Sequence, residues 1–352
     1  AWIGEHHFDS LGVNSRPDLV LASIIPVTKH VRLAPAVTVL PLHHPIHVAE
    51  TWATLDLLSG GRVDFATGRG YDRKEYAPFG ADFFDSAALF EEGVDVLLKA
   101  WNEPGRWSHK GKYYDIQDMS ITPKPVQKPI PFYMASFSKL SADIAAKRGL
   151  NIIYAPFATG LGYGGLDKAV QYYRDACHAA GNKPGRAMCS YFVCLDDEHG
   201  DEYGRQTLLD YFRYCVIGAI PNKPEDAPPT MQYFMKIAEF AKNVKKEDLS
   251  DKSILLGPPA KIVESLKRVE AAGIDEVILY FNVGNKPHAF VKEQMHRFME
   301  EVAPHFEGKH IERRSAARWR AAAAASGPAP DRCASGTSLP GRRRSPAGDQ
   351  YP

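Results

Sequence analysis

The chain has 352 residues, 44% hydrophobic and 24% charged, with a formal net charge of +1. That balance suits one large α/β domain or two smaller ones, and the near-zero charge provides no global attraction to nucleic acid or membrane. No apolar run reaches the roughly 18 residues of a spanning helix. No leader pattern opens the chain, and five cysteines without a C-x-x-C fit reduced, cytoplasmic thiols better than a disulfide framework.

In chain order, AWIGEHH (1–7) reads as an apolar strand that ends in Glu5, His6 and His7. RLAPAVTVL (32–40) is a buried strand. HPIHVAETWATLDLLSGG predicts a helix: Val48, Thr51, Trp52, Leu55 and Leu58 fall at helical spacing, Pro45 suits the first turn, and Gly60-Gly61 stops it. RVDFATG (62–68) is the next strand, and a helix follows from about Asp85. PFYMAS (131–136), NIIYAPF (151–157), AMCSYFVCL (187–195) and EVILYF (276–281) are further strands, and helical patterns follow at 138–148, from Leu166 and from His288.

This alternation predicts βαβ units and a parallel sheet. The pattern yields seven strands, one fewer than a (β/α)₈ barrel requires, so a barrel would begin one βα unit late. A doubly wound open sheet is the alternative. Residues 200–256 form an insertion with two helices around Pro221–Pro229, placed to act as a lid or substrate wall. Residues 313–352, rich in Ala, Pro, Gly, Ser and Arg, lack periodicity and are expected to be disordered.

Three stretches could carry chemistry. In parallel barrels, functional groups cluster at the C-terminal strand ends. A histidine there, from EHH, can act as a base near neutral pH, or it can bond loop backbone. In ATGRGYDRKEY, Gly68 and Gly70 flank Arg69, whose guanidinium can hold a phosphate in bidentate fashion; a tight turn with a solvated arginine is the plainer alternative. In MASFSKLSAD, Ser138 and Ser141 stand where a strand passes into a helix, either as an anion site or as ordinary caps. A barrel would make the last two strands adjacent and let these groups share one phosphate. GLGYGG (160–165) reads as a flexible connection more than a second anion site. No set of His, Cys and Asp shows metal-ligand spacing, and His43-His44 before a helix reads as a loop and an N-terminus, so no metal is expected. No dinucleotide fingerprint, nucleophile elbow or Walker loop is present.

EHHFDSLG, VTVLPLHHPIHVAETWATLDLLSGGRVDFATGRGYD and MASFSKLSADIAAKRGL occur in that order, and with them the chain strongly resembles the bacterial luciferase-like flavin monooxygenases over about residues 1–310. The resemblance implies a (β/α)₈ barrel, or TIM barrel, with reduced FMN at its C-terminal mouth. EHHF would end the second strand, and the first βα unit would be missing. His6 would be the active-site base and His7 its supporting neighbour. Arg69, Ser138 and Ser141 would hold the FMN phosphate, with Gly68, Ala135 and Phe137 lining the flavin. A non-proline cis peptide is implied at Ala36–Val37, under the ring. Tyr71, Tyr76 and Phe79 would line the substrate side. Three positions depart from the family pattern: Gly68 replaces a reactive cysteine, Phe137 an acidic residue and Ala87 a second phosphate-binding arginine.

The implied activity is oxygenation of an aldehyde or other small organic substrate by dioxygen through a C4a-peroxyflavin. Reduced FMN would come from a separate NAD(P)H:flavin reductase. The rivals are F420-dependent hydride transfer on the same fold and a non-catalytic flavin-binding subunit. The family also implies a homodimer, here through helices 45–58 and 85–101, where Trp52, Leu55, Leu97 and Trp101 either offer apolar surface or, for some of them, belong to the core.

Overall fold

The computed structural model describes residues 1–306 apart from 9–11, 13, 197–199, 222, 250–253 and 285. The expected tail at 313–352 lies outside the described residues. Residues 1–305 form one compact unit. It is an α/β barrel of the TIM type, with parallel strands inside and helices outside.

The strands are β1 (Trp2–Ile3), β2 (Ala34–Pro35), β3 (Thr38–Val39), β4 (Phe65–Gly68), β5 (Trp107–Lys110), β6 (Asp115–Met119), β7 (Phe132–Ser136), β8 (Asn151–Tyr154), β9 (Ala187–Leu195), β10 (Ile254–Gly257) and β11 (Glu276–Tyr280). β1 pairs with β2, and β3 continues through β4, β7, β8 and β9, all parallel. The expected strand at 32–40 is thus two short pieces, β2 and β3. They flank the Ala36–Val37 peptide, which is cis where the resemblance places it.

β9 is long enough to carry two partners. β11 pairs along Met188–Phe192 and β10 along Phe192–Leu195. β10 was missed in the sequence because its four residues sit at the end of the insertion. The hairpin β5–β6 was missed as well; its faces alternate between buried and exposed, unlike the wholly apolar central strands. Among the described residues, no ladder joins β11 to β1.

Helix Pro45–Ser59 has Pro45 in its first turn, takes a hydrogen bond from Ile46 N–H on the His44 side chain, and ends at Gly60 in the left-handed conformation. It packs against helix Ser86–Asn102, and Trp101 Nε1 donates to the Ala49 carbonyl at 3.0 Å. Trp52, Trp101 and Phe132 meet Phe65 edge-on, with centroids 5.0–5.5 Å away. Trp52, Leu55, Leu97 and Trp101 are therefore core, not the exposed surface of a dimer face. The helices cover the sheet, and long apolar side chains are what seal it.

The insertion holds a helix at Gly200–Tyr211, a π-helical turn at Phe212–Val216 and a helix at Phe234–Asn243. These flank the stretch 221–229, as expected, and its prolines permit only short 3₁₀ turns at Pro224–Asp226 and Pro229–Met231. NIIYAPF is a strand only to Tyr154: Pro156 starts a helix that runs to Tyr163 and absorbs the first four residues of the glycine-rich stretch. Helices Pro17–Ile24, Leu166–Ala179, Pro259–Ala271 and His288–Arg297 also belong to the helical layer. No helix among the described residues is long and apolar enough to cross a membrane.

Candidate active site

A cavity of about 930 Å³ opens at the C-terminal strand ends. His6, Ala36, Val37, Gly68, Arg69, Tyr71, Ala135, Phe137, Ser138 and Ser141 all reach its wall, so residues far apart in sequence converge there. Ala87 is also in the wall.

His6 follows β1. Its Nδ1 lies 3.0 Å from Glu75 Oε1, and the same oxygen accepts the His7 backbone N–H at 2.7 Å. Glu75 is 1% exposed, and its other oxygen has no partner. A carboxylate on Nδ1 favours the tautomer with the proton there and leaves Nε2 as the acceptor. That is the arrangement of a base. Glu75 was missed in the sequence: it sits in a short helix, Arg73–Tyr76, and 69 positions separate it from His6. Nothing local marks an acid whose partner is that distant.

His7 turns away from the cavity. Its Nε2 lies 3.1 Å from Glu5 Oε1, and His43 Nε2 reaches the same oxygen at 2.5 Å. The second Glu5 oxygen accepts the Val39 N–H at 3.2 Å. Burial works against the Glu5 charge, yet the hydrogen bonds from His43 and His7 prevail and hold the carboxyl below its usual range. The sequence showed no metal-ligand set, but the fold brings the ligand atoms of Glu5, His7 and His43 within 4.8 Å of one another. His43 does lie in the loop before helix Pro45–Ser59, as read, and from there it joins a buried hydrogen-bonded clamp that ties the β1 end to the β3 end.

Arg69 follows β4. Two of its N–H groups are committed to Thr230, to Oγ1 at 2.7 Å and to the carbonyl at 3.3 Å. A guanidinium has five such donors. Gly68 precedes it because a Cβ there would stand 2.9 Å from Val37 Cγ2, and Gly70 combines a φ of +75° with a would-be Cβ 2.5 Å from Val39 Cγ1. Burial pushes the Tyr233 hydroxyl up to about 12, and the Arg69 and Ser138 side chains beside it oppose that rise. Tyr233 thus brings β4-end and β7-end groups to one place.

Ser138 caps the helix Lys139–Lys147 in a capping box with Ser141, whose hydroxyl lies 3.0 Å from Ser136 Oγ. The capping alternative and the anion alternative coexist here, since a capped N-terminus still presents its first N–H groups.

Two expected substrate residues are elsewhere. Tyr76 is 1% exposed, packs on Phe83 and bonds the Arg69 carbonyl, so it supports the arginine loop from the core. Phe79, 42% exposed, lies against His7 with centroids 4.8 Å apart, outside the cavity wall. Helical and turn geometry after Asp72 turns these rings away from the cavity, Tyr76 into the core and Phe79 to the surface, and of the three only Tyr71 lines the wall.

The sequence matches the luciferase-like monooxygenase family over residues 1–276. The chain belongs to that family and is a flavin-dependent monooxygenase by class. It is 25% identical over 321 residues to the oxygenase component of the flavin-dependent trigonelline monooxygenase of Acinetobacter baylyi, covering 90% of this chain and 87% of that protein. Among solved structures it is similar to the monooxygenase RslO1 from Streptomyces bottropensis, with a TM-score of 0.72, 24% identity, and 87% and 88% of the two chains covered. An F420-dependent secondary alcohol dehydrogenase shares the fold, with a TM-score of 0.68, 17% identity and coverage of 87% and 90%.

Proposed function

We propose that the protein is the oxygenase of a two-component system that uses reduced FMN from a separate NAD(P)H:flavin reductase, together with dioxygen, to oxygenate an aldehyde or other small organic substrate. The observation that carries this is the pairing, in one cavity, of a carboxylate-oriented histidine and a phosphate-sized donor set. The residues fit the cofactor. Arg69 has donors to spare, Ser138 and Ser141 stand at a helix N-terminus, and Gly68 keeps the wall beside Val37 free of a side chain.

Bound reduced flavin supplies the electrons that activate dioxygen. Arg69, Ser138 and Ser141 anchor the phosphate. Glu75 orients His6, whose Nε2 takes a proton and returns it at the mouth. From the insertion, residues between Asp210 and Ile237 line the cavity, and closing over it they would exclude water.

The test is to bind reduced FMN without oxygen, mix in ¹⁸O₂, and follow flavin absorbance and product mass. Flavin reoxidation slower than in free solution, with one ¹⁸O atom in the product, supports the reading. Reoxidation at the free-flavin rate with no labelled product overturns it. The His6–Glu75 pair would equally serve proton transfer beside an alcohol, the chemistry of the F420-dependent alternative. Oxygen-independent reduction of F420 by an alcohol would select that reading. Saturable flavin binding with neither turnover would select the non-catalytic subunit.

A further inference from the structure

The substrate half of the cavity is built from rings. Tyr71, Phe137 and Phe234 form a triangle, with centroid separations of 5.4 Å (Tyr71–Phe234), 6.0 Å (Phe137–Phe234) and 6.3 Å (Tyr71–Phe137). Tyr233 stacks on Phe234 at 4.6 Å. Further round the wall, Phe192 faces Tyr280 at 5.4 Å and Phe212 at 6.2 Å. All of these rings line the cavity. Tyr233, Phe234 and Phe212 come from the insertion, and the others from strands or the segments just after them. Rings at such spacings and tilts favour a planar π-system over a flexible chain, because faces and edges attract by their quadrupoles.

Charge narrows the ligand further. The described wall holds no lysine and one arginine, Arg69. Its acids are Glu5, clamped by two histidines, and Asp210, which accepts from Gln206 at 2.7 Å. An anionic substrate would therefore compete with the flavin phosphate for the one guanidinium, or lie buried without a counter-charge, which is costly. Size agrees. Ligand pockets run from about 300 to 1,000 Å³, and at about 930 Å³ this cavity stands near the upper end of that range, about three times the smallest.

Among the polar groups of the wall, one stands beside His6. The Tyr71 ring lies 5.9 Å from the His6 ring, and its hydroxyl makes no hydrogen bond among the described residues. Burial pushes that hydroxyl well above its ordinary value and keeps it a neutral donor.

We propose that this cavity selects an uncharged, planar fused-ring aromatic carrying a carbonyl or hydroxyl oxygen. The ring system packs on the triangle of Tyr71, Phe137 and Phe234, and its oxygen bonds the Tyr71 hydroxyl beside His6. The proposal rests on the flavin reading only in assigning the Arg69 end to the cofactor.

The experiment is a set of equilibrium titrations of the full chain, with and without oxidised FMN, using 9-anthraldehyde, anthracene-9-carboxylate and decanal as probes. Phe234→Leu keeps apolar volume and loses the ring; Tyr71→Phe keeps the ring and loses the hydroxyl. Both are checked for native circular dichroism. The neutral three-ring aldehyde is expected to bind at least tenfold tighter than the carboxylate or decanal. Phe234→Leu is expected to lose about tenfold for anthraldehyde with decanal unchanged, and Tyr71→Phe to lose affinity for anthraldehyde but not for anthracene, which is added as a fourth probe for this variant. Decanal or the carboxylate binding as tightly as the aldehyde would overturn the proposal, as would no binding of anthraldehyde. FMN saturation without ring binding sinks this proposal and spares the proposed function. Ring binding without FMN binding does the reverse.

Discussion

His6 works through a neighbour that is distant in sequence. Glu75 reaches its Nδ1 at 3.0 Å while also holding the His7 backbone, so one buried carboxylate fixes both the tautomer and the position of the ring. His6→Ala should lower turnover by about 10²–10⁴-fold, the usual contribution of a positioned acid or base, and leave FMN affinity within a few-fold. Equal turnover in single-turnover assays would remove His6 from the mechanism. Glu75→Gln should reduce the rate by roughly tenfold to a hundredfold, as supporting partners of a functional imidazole do, and should displace the pH-rate profile. A lower rate with an unmoved profile would make Glu75 merely structural.

At the scale of elements, the β4 end illustrates how a loop is held for a ligand. Tyr76 bonds the Arg69 carbonyl from the core, and Thr230 takes the guanidinium from the insertion. Arg69→Ala should weaken FMN binding by about tenfold to a hundredfold, since a hydrogen bond to a charged group contributes about 1.5–3 kcal/mol, while riboflavin, lacking the phosphate, binds as before. An equal loss for riboflavin would place Arg69 against the ring instead. Gly68→Val should cost about 1–3 kcal/mol, the range for overpacking, because even its Cβ meets Val37 at 2.9 Å. Urea denaturation at matched slopes measures this.

For the whole molecule, the Glu5 clamp ties the first strand to the third and links stability to pH. Its carboxyl is held below the usual range in the folded chain. The stabilisation is therefore present above the unfolded value of about 4.3 and is lost as pH falls through the lower folded value. Glu5→Gln should be less stable than the parent at pH 7, with the gap narrowing as pH falls below about 4.3. A gap independent of pH would show that the clamp does not act through the Glu5 charge.

Much of this architecture was legible in the sequence because it is local. Strand and helix alternation follows from side-chain period, and the stop of helix Pro45–Ser59 from Gly60 in the left-handed conformation. Pattern could not decide matters of contact. Trp52 and Trp101 read as surface candidates because a helix wheel does not say which apolar face meets the sheet and which meets a partner. Tyr76 and Phe79 read as substrate residues because chain proximity to Arg69 does not fix the direction of a side chain. β10 is four residues that become a strand only beside the end of β9.

The sequence by itself determined the βαβ alternation and the strand-end positions of His6, Arg69 and Ser138, since those depend on residue order and local propensity; the choice of a barrel over an open sheet came from the family resemblance. Only the tertiary structure decided that Glu75 serves His6, that His43 joins Glu5 and His7, and that the insertion brings Phe234 against Tyr71 and Phe137. Those contacts close long loops, and a loop closes wherever the sum of packing over the whole core outweighs the chain entropy, a balance no single stretch of sequence contains.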